Sequence, residues 1–344
     1  MTWSEQLLPA EHPPTPNGRI GLIVVNLGTP ESPSPYDVKL YLKEFLSDRR
    51  VIEIPAIIWQ IILRGIILNT RPKKSAEAYS KVWTEDGSPL LVITRNQAKE
   101  LQKRLGEKVM VRHAMRYGNP SIPSQLKELH NAGCDRILLA PLYPQYCGAT
   151  TATVFDKAAA YMAETRWQAA LRTLPTYHDD PVYIDALERD IKRQLNDLKF
   201  TPEVLFLSFH GMPLRTLELG DPYHCFCHKT ARLLSERLHQ TENWRDLKIE
   251  TTFQSRFGRA QWLEPATDEM LKLEAKRGVE RIAIAAPGFA ADCVETLEEL
   301  AIEGRELFLE YGGKDFAVLT CLNTSEDGMN MLYSIVRREL SGWI

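Results

Sequence analysis

A chain of 344 residues with a formal net charge of -3 carries no field that would gather a polyanion, which excludes nucleic acid as a natural partner. Its composition, 44% hydrophobic and 25% charged, is globular, and the length exceeds what one core usually serves, so two domains are expected. Six scattered cysteines fit reduced thiols rather than a disulfide framework.

The opening MTWSEQLLPAEHPPTPNGRIG lacks a basic flank followed by an apolar run. It reads as a flexible lead-in and not as a signal peptide, which with the reduced thiols points to the cytoplasm. Gly21–Leu27 is then the first short apolar run of the kind that buried parallel strands show. Ile54–Leu68, IPAIIWQIILRGIIL, is apolar except for Gln60 and Arg64, and too short to span a bilayer. It is either a buried helix or an exposed lip that meets a greasy substrate or, peripherally, the inner face of a membrane.

Val109–Met115, Arg136–Leu142 and Gln168–Leu174 complete a first set of four strands. Glu203–Phe209, Ile249–Gln254, Arg281–Pro287 and Phe316–Leu322 form a second. Amphipathic stretches such as Ser121–Asn131 and Asp268–Arg277 separate most of them, a spacing that predicts right-handed crossovers and a parallel sheet, twice. The expected fold is α/β: two similar Rossmann-like lobes, each a four-stranded parallel sheet flanked by helices. The first lobe covers residues 1–178 with the lip inserted over about 31–90, and the second covers 179–344. A last helix over about 326–342 is expected to pack back on the first lobe.

The strand ends repeat as well. Leu27-Gly28-Thr29-Pro30 parallels His210-Gly211-Met212-Pro213, Arg116-Tyr117-Gly118 parallels Arg256-Phe257-Gly258, and Ala140-Pro141-Leu142-Tyr143 parallels Ala286-Pro287-Gly288-Phe289. These matches indicate an internal duplication. In such sheets ligands sit beyond the carboxyl ends of the strands, here in a cleft between the lobes. The turn after Gly28 lacks G-x-G-x-x-G and no Walker sequence occurs, so a nucleotide cofactor is not expected.

His210 stands at such a strand end, where it can act as general base or metal ligand; a turn hydrogen bond is the plainer alternative. Glu295 opens a helix, with Asp292 a plausible N-cap and Glu299 and Glu303 following at i+4 and i+8. Carboxylates at that spacing repel. They form either a ladder that guides a divalent cation or a solvated acidic face, which Glu298 beside them would fit. Tyr117, Tyr143, Tyr146, Phe257, Trp262 and Phe289 collect at the predicted edges with Leu27, Met115 and Met212. Together they would line a flat apolar pocket whose rim, with Arg116 and Arg256, holds acidic substituents. His224-Cys225-Phe226-Cys227-His228 has poor spacing for a tetrahedral zinc.

At this point the sequence resembles the ferrochelatase family. The resemblance rests on Asn26–Pro30, Arg116-Tyr117-Gly118, PLYPQY at Pro141–Tyr146, SFHGMP at Ser208–Pro213, QSRFG with Trp262, and CVETLEE at Cys293–Glu299, in order along nearly the whole chain. It implies a lyase with two chelatase-type lobes that inserts Fe2+ into protoporphyrin IX, the terminal step of haem synthesis. His210 and Glu295 match the residues that face each other as catalytic groups and metal ligands. Glu299, Glu303 and Asp292 match the acidic path, often on an irregular helix. Arg116 and Tyr117 match the opposite face of the porphyrin site, Tyr79 and Ser255 resemble contacts to its carboxylates, and Leu27 and Trp262 fall among its porphyrin-binding positions.

The chain departs from some relatives at Leu27, where Met or Tyr can stand, and at Cys293, where animal members can have His. The segment after Cys321 has no cysteine, so no [2Fe–2S] cluster of the C-terminal type is expected, and no prosthetic group: Fe2+ is a substrate. Other readings are a chelatase for another tetrapyrrole such as coproporphyrin III, and a non-catalytic porphyrin or metal carrier.

Overall fold

Eight apolar runs become eight strands in a computed structural model that describes residues 11, 12 and 18–344 except 167 and 259. Most of the lead-in segment lies outside the described residues. In the first sheet β1 is Arg19–Gly28, β2 Val109–Tyr117, β3 Cys134–Pro141 and β4 Ala170–Thr173. In the second, β5 is Val204–His210, β6 Lys248–Gln254, β7 Arg281–Ala285 and β8 Asp315–Val318. Every pairing is parallel, and the orders β2-β1-β3-β4 and β6-β5-β7-β8 are the same. The duplication is therefore one of topology.

Helices cover both faces of each sheet, which is why the central strands are apolar throughout. In the first lobe Val109 and Val111 pack with Ala98 and Leu101 on one face, while Ala114 packs with Leu126 and Leu129 on the other. Ser34, Ser121 and Asp180 cap their helices by accepting a backbone N–H, each with proline in the first turn, where no N–H is missed.

The final helix, Glu326–Glu339, packs between Pro181–Asp197 and the first lobe's Pro89–Leu105. Arg104 reaches across to Glu326 at 2.9 Å and Asn330 at 2.7 Å. Buried Gln97 donates to the carbonyls of Ala290 and Asn323, joining the lobes behind the cleft.

Of the two packings open for Ile54–Leu68, the structure takes the exposed lip. Helix Ala56–Ile62 buries no residue: Ile57 is 82% and Ile61 71% exposed. The chain then turns through a π-helical turn, Leu63–Ile67, into helix Leu68–Val82, and only Leu63 and Leu68 of the apolar run are buried. Among the described residues no helix is long and apolar enough to cross a membrane.

One proposed equivalence fails. Tyr117 pairs with Gly28, placing Arg116 within β2, whereas His210 pairs with Gln254, placing Arg256 beyond the end of β6. The two arginines stand two positions apart in register, one inside its strand and one in the loop beyond, and so cannot play the same part.

Candidate functional site

The carboxyl ends of β1 and β5 open into one cleft between the lobes. Leu27, Tyr41 and Tyr79 line it from the first lobe, and His210, Phe289 and Glu295 from the second. The turn that presents His210 requires glycine: a Cβ on Gly211 would lie 2.7 Å from the carbonyl oxygen of Gln254, to which the Gly211 N–H donates. His210 Nδ1 is 2.7 Å from the Gly211 carbonyl oxygen. A carbonyl only accepts, so Nδ1 carries a proton, and in the neutral ring the lone pair is left on Nε2. The plain turn hydrogen bond is present, and it leaves the other ring nitrogen free of it.

Two further contacts brace this end of the second sheet. Tyr223 Oη donates to the His210 carbonyl at 3.0 Å. Gln254, accepting from Ser208, reaches the Glu295 carbonyl at 3.4 Å and ties β6 to the helix that carries the acid.

That helix, Glu295–Gly304, is π-helical over its whole length. Such i→i+5 segments are rare and frequent at functional sites. Its acids run outward: Glu295 and Glu299 are half-buried and Glu303 is exposed. Glu299 accepts from the Ser255 N–H at 2.6 Å and from its hydroxyl at 2.5 Å. Burial raises the Glu299 carboxyl to about 7 against those hydrogen bonds, with Glu295 and Glu303 adding to the rise. It therefore exchanges a proton near neutral pH.

Two of the acids differ from expectation. Asp292 is no helix N-cap. Its carboxylate accepts from Thr296 Oγ1, Asn323 Nδ2 and the Cys321 N–H, so it holds the loop before the last helix. Glu298 is no part of a solvated face either. It is 5% exposed and lies 2.6 Å from Lys81, clamping the end of the lip helix to the π-helix.

The other candidates separate into three places. Leu27 and Tyr79 line the His210 cleft. Ser255 and Trp262 line a second cavity, together with Glu299 and Glu303. Arg116 and Tyr117 line neither. Arg116 is ion-paired with Asp48, and Tyr117, fully buried, donates to the same carboxylate at 3.0 Å. Asp48 lies in the lip insertion, and nothing in local sequence marked it as their partner.

Three residues at or near the site carried no such signal. Tyr41 donates to the Gly28 carbonyl at 3.3 Å under the cleft. Cys293, singled out only as a departure, is buried beside Glu295 in the cleft wall. Arg71, on the lip helix, stacks 4.6 Å over the Phe257 ring of the other lobe, and burial lowers its pKa. Among the described residues no three candidate ligands converge on one point. His210 and Glu295 thus offer an imidazole and a carboxylate, a donor set suited to a borderline divalent cation that keeps other ligands.

The Glu299 carboxyl has a testable consequence. Its pKa is raised on folding, so the folded state binds a proton that the unfolded chain has already released between about pH 4.3 and 7. Stability from this group falls as pH rises through that window and levels off above it. Glu299→Gln is expected to flatten the decline in Tm between pH 5 and 7.5 in thermal unfolding; an unchanged slope would place the titration elsewhere.

A family model described as Ferrochelatase matches residues 19–340. A ferrochelatase of Rhizobium meliloti (strain 1021) is 52% identical over 338 residues, 97% of this chain and 98% of that one. One from Allorhizobium ampelinum is 51% identical over 341 residues, 98% of each. The fold is also that of SirB from Bacillus subtilis, solved with Fe3+, with TM-score 0.55 at 11% identity over 94% of this chain and 96% of that one. CbiX, the terminal enzyme of sirohaem biosynthesis in denitrifying bacteria, gives TM-score 0.51 at 11% identity, covering 94% and 100%. With a family model over nearly the whole chain and relatives at half identity end to end, the chain belongs to the ferrochelatase family.

Proposed function

We propose that this chain is a lyase that inserts Fe2+ into protoporphyrin IX, the terminal step of haem synthesis, with His210 and Glu295 as its catalytic pair. The observation that carries the reading is the His210 tautomer: Nδ1 is committed to the Gly211 carbonyl, leaving Nε2 as acceptor in the cleft that Glu295 also lines. Insertion exchanges two pyrrole protons for the metal. His210 Nε2 accepts a proton or ligates the entering ion, and Glu295, from the π-helix, binds the ion or takes the second proton. Glu299, which gains and loses a proton near neutral pH, passes it outward toward exposed Glu303.

Metal entry also needs the ring bent and the metal's water shell stripped. The largely apolar wall, with Leu27 and Phe289, supports both by excluding water and pressing on a flat ligand. The chemistry draws on no prosthetic group. The exposed isoleucines of the lip favour the less polar porphyrin and give a cytoplasmic protein a surface for peripheral contact with a membrane.

The test supplies protoporphyrin IX or coproporphyrin III side by side with Fe2+ or Zn2+ and follows metalloporphyrin absorbance. Repeated turnover with a preference for protoporphyrin supports the reading. Preference for coproporphyrin points to the other tetrapyrrole, and stoichiometric binding without turnover to a carrier.

A further inference from the structure

The run His224–His228 takes no part in the cleft chemistry. It opens helix Tyr223–Leu238, where residues four apart share a face. The two imidazoles lie with ring centroids 4.4 Å apart, and both rest on Phe253, a fully buried residue of β6, at 5.8 and 5.9 Å. Cys227 is buried, and Cys225 is exposed.

Neither imidazole has a hydrogen-bond partner among the described residues, so their nitrogens are uncommitted. Burial holds both pKa values below the ordinary histidine range, and His224 lowers that of His228 further. Both rings are therefore neutral, with lone pairs available, at neutral pH.

We propose that His224 and His228 form a two-histidine chelate for a borderline divalent cation such as Zn2+, outside the catalytic cleft. Two imidazoles fixed by packing against one aromatic ring need little ordering to bind. With two protein ligands the remaining positions go to water, which makes the site exchangeable and not a structural zinc. It begins one residue after Tyr223, whose hydroxyl holds the His210 carbonyl, so an occupied chelate would stiffen the turn beneath the proposed base.

The experiment is equilibrium dialysis of the untagged full chain against Zn2+ alone. The proposal gives one equivalent bound when the cleft pair is removed by His210→Ala with Glu295→Gln. Adding His228→Ala should weaken that equivalent by about tenfold or more, since one of two protein ligands is gone. Cu2+ in the same background should show two-nitrogen coupling in its electron paramagnetic resonance spectrum, lost in the triple variant. Zn2+ binding unchanged by His228→Ala, with folding confirmed by circular dichroism, overturns the proposal. A wild-type chain that binds one equivalent, lost with His228→Ala, instead upholds it while removing the cleft pair as a metal site.

Discussion

Alanine at position 210 is expected to lower metal insertion at saturating porphyrin by about 10²- to 10⁴-fold, the usual worth of a positioned general base. Porphyrin affinity, read by fluorescence quenching, should change little, because the apolar wall supplies the binding surface. The loss should thus fall on kcat and not on KM. Folding should survive: His210 is half-buried, and the contacts that build its turn, from Gly211 to Gln254 and from Tyr223 to residue 210, use backbone atoms of that turn. A variant that retains near-normal turnover would remove His210 from the chemistry. Glu295→Gln separates the acid's two roles, since glutamine keeps a carbonyl oxygen but loses the charge and the ability to take a proton.

The second large effect is on stability, from Gly28→Ala. Gly28 has φ of +123°, and a Cβ there would lie 1.8 Å from the carbonyl oxygen of Tyr117, on the neighbouring strand of the central pair. A backbone atom cannot swing aside as a side chain can, so β1 and β2 would have to part at the floor of the cleft. The expected cost is on the order of 4 kcal/mol, combining left-handed strain with the clash. It would appear as a lowered urea midpoint and loss of the cleft. Gly211→Ala at the equivalent turn should cost less, because its φ is not positive and its Cβ would stand 2.7 Å from the Gln254 oxygen. Equal destabilisation by the two substitutions would contradict this account of the duplicated turns.

The strands were legible because a strand buried on both faces must be apolar throughout, and that pattern needs no knowledge of neighbours. His210 was legible for a related reason: a histidine closing an apolar run before Gly-Met-Pro stands at a sheet edge in whichever lobe it occurs. The acids were harder. Glu295, Glu298, Glu299 and Glu303 look alike in the chain, and their roles separate only by what surrounds each one. Lys81 takes Glu298, Ser255 takes Glu299, and Glu303 faces solvent. Arg116 shows the opposite error: its resemblance to Arg256 survives in composition but not in register, and Asp48 binds it away from the cleft.

By itself the sequence determined the α/β class, the doubling of one four-strand unit, the glycine turns at the strand ends and the membership of His210 and Glu295 in one site. These follow from local periodicity, steric demand and order along the chain. Tertiary structure alone decided that the apolar lip is exposed, which acids face the cleft and which are spent on ion pairs or loops, and that Nδ1 of His210 holds the proton. Each of those depends on a partner brought from elsewhere by folding or, for the tautomer, on the geometry of one turn. Lys81 is 217 positions from Glu298 and Asp48 68 from Arg116, so no window along the chain contains the pairing that sets their state.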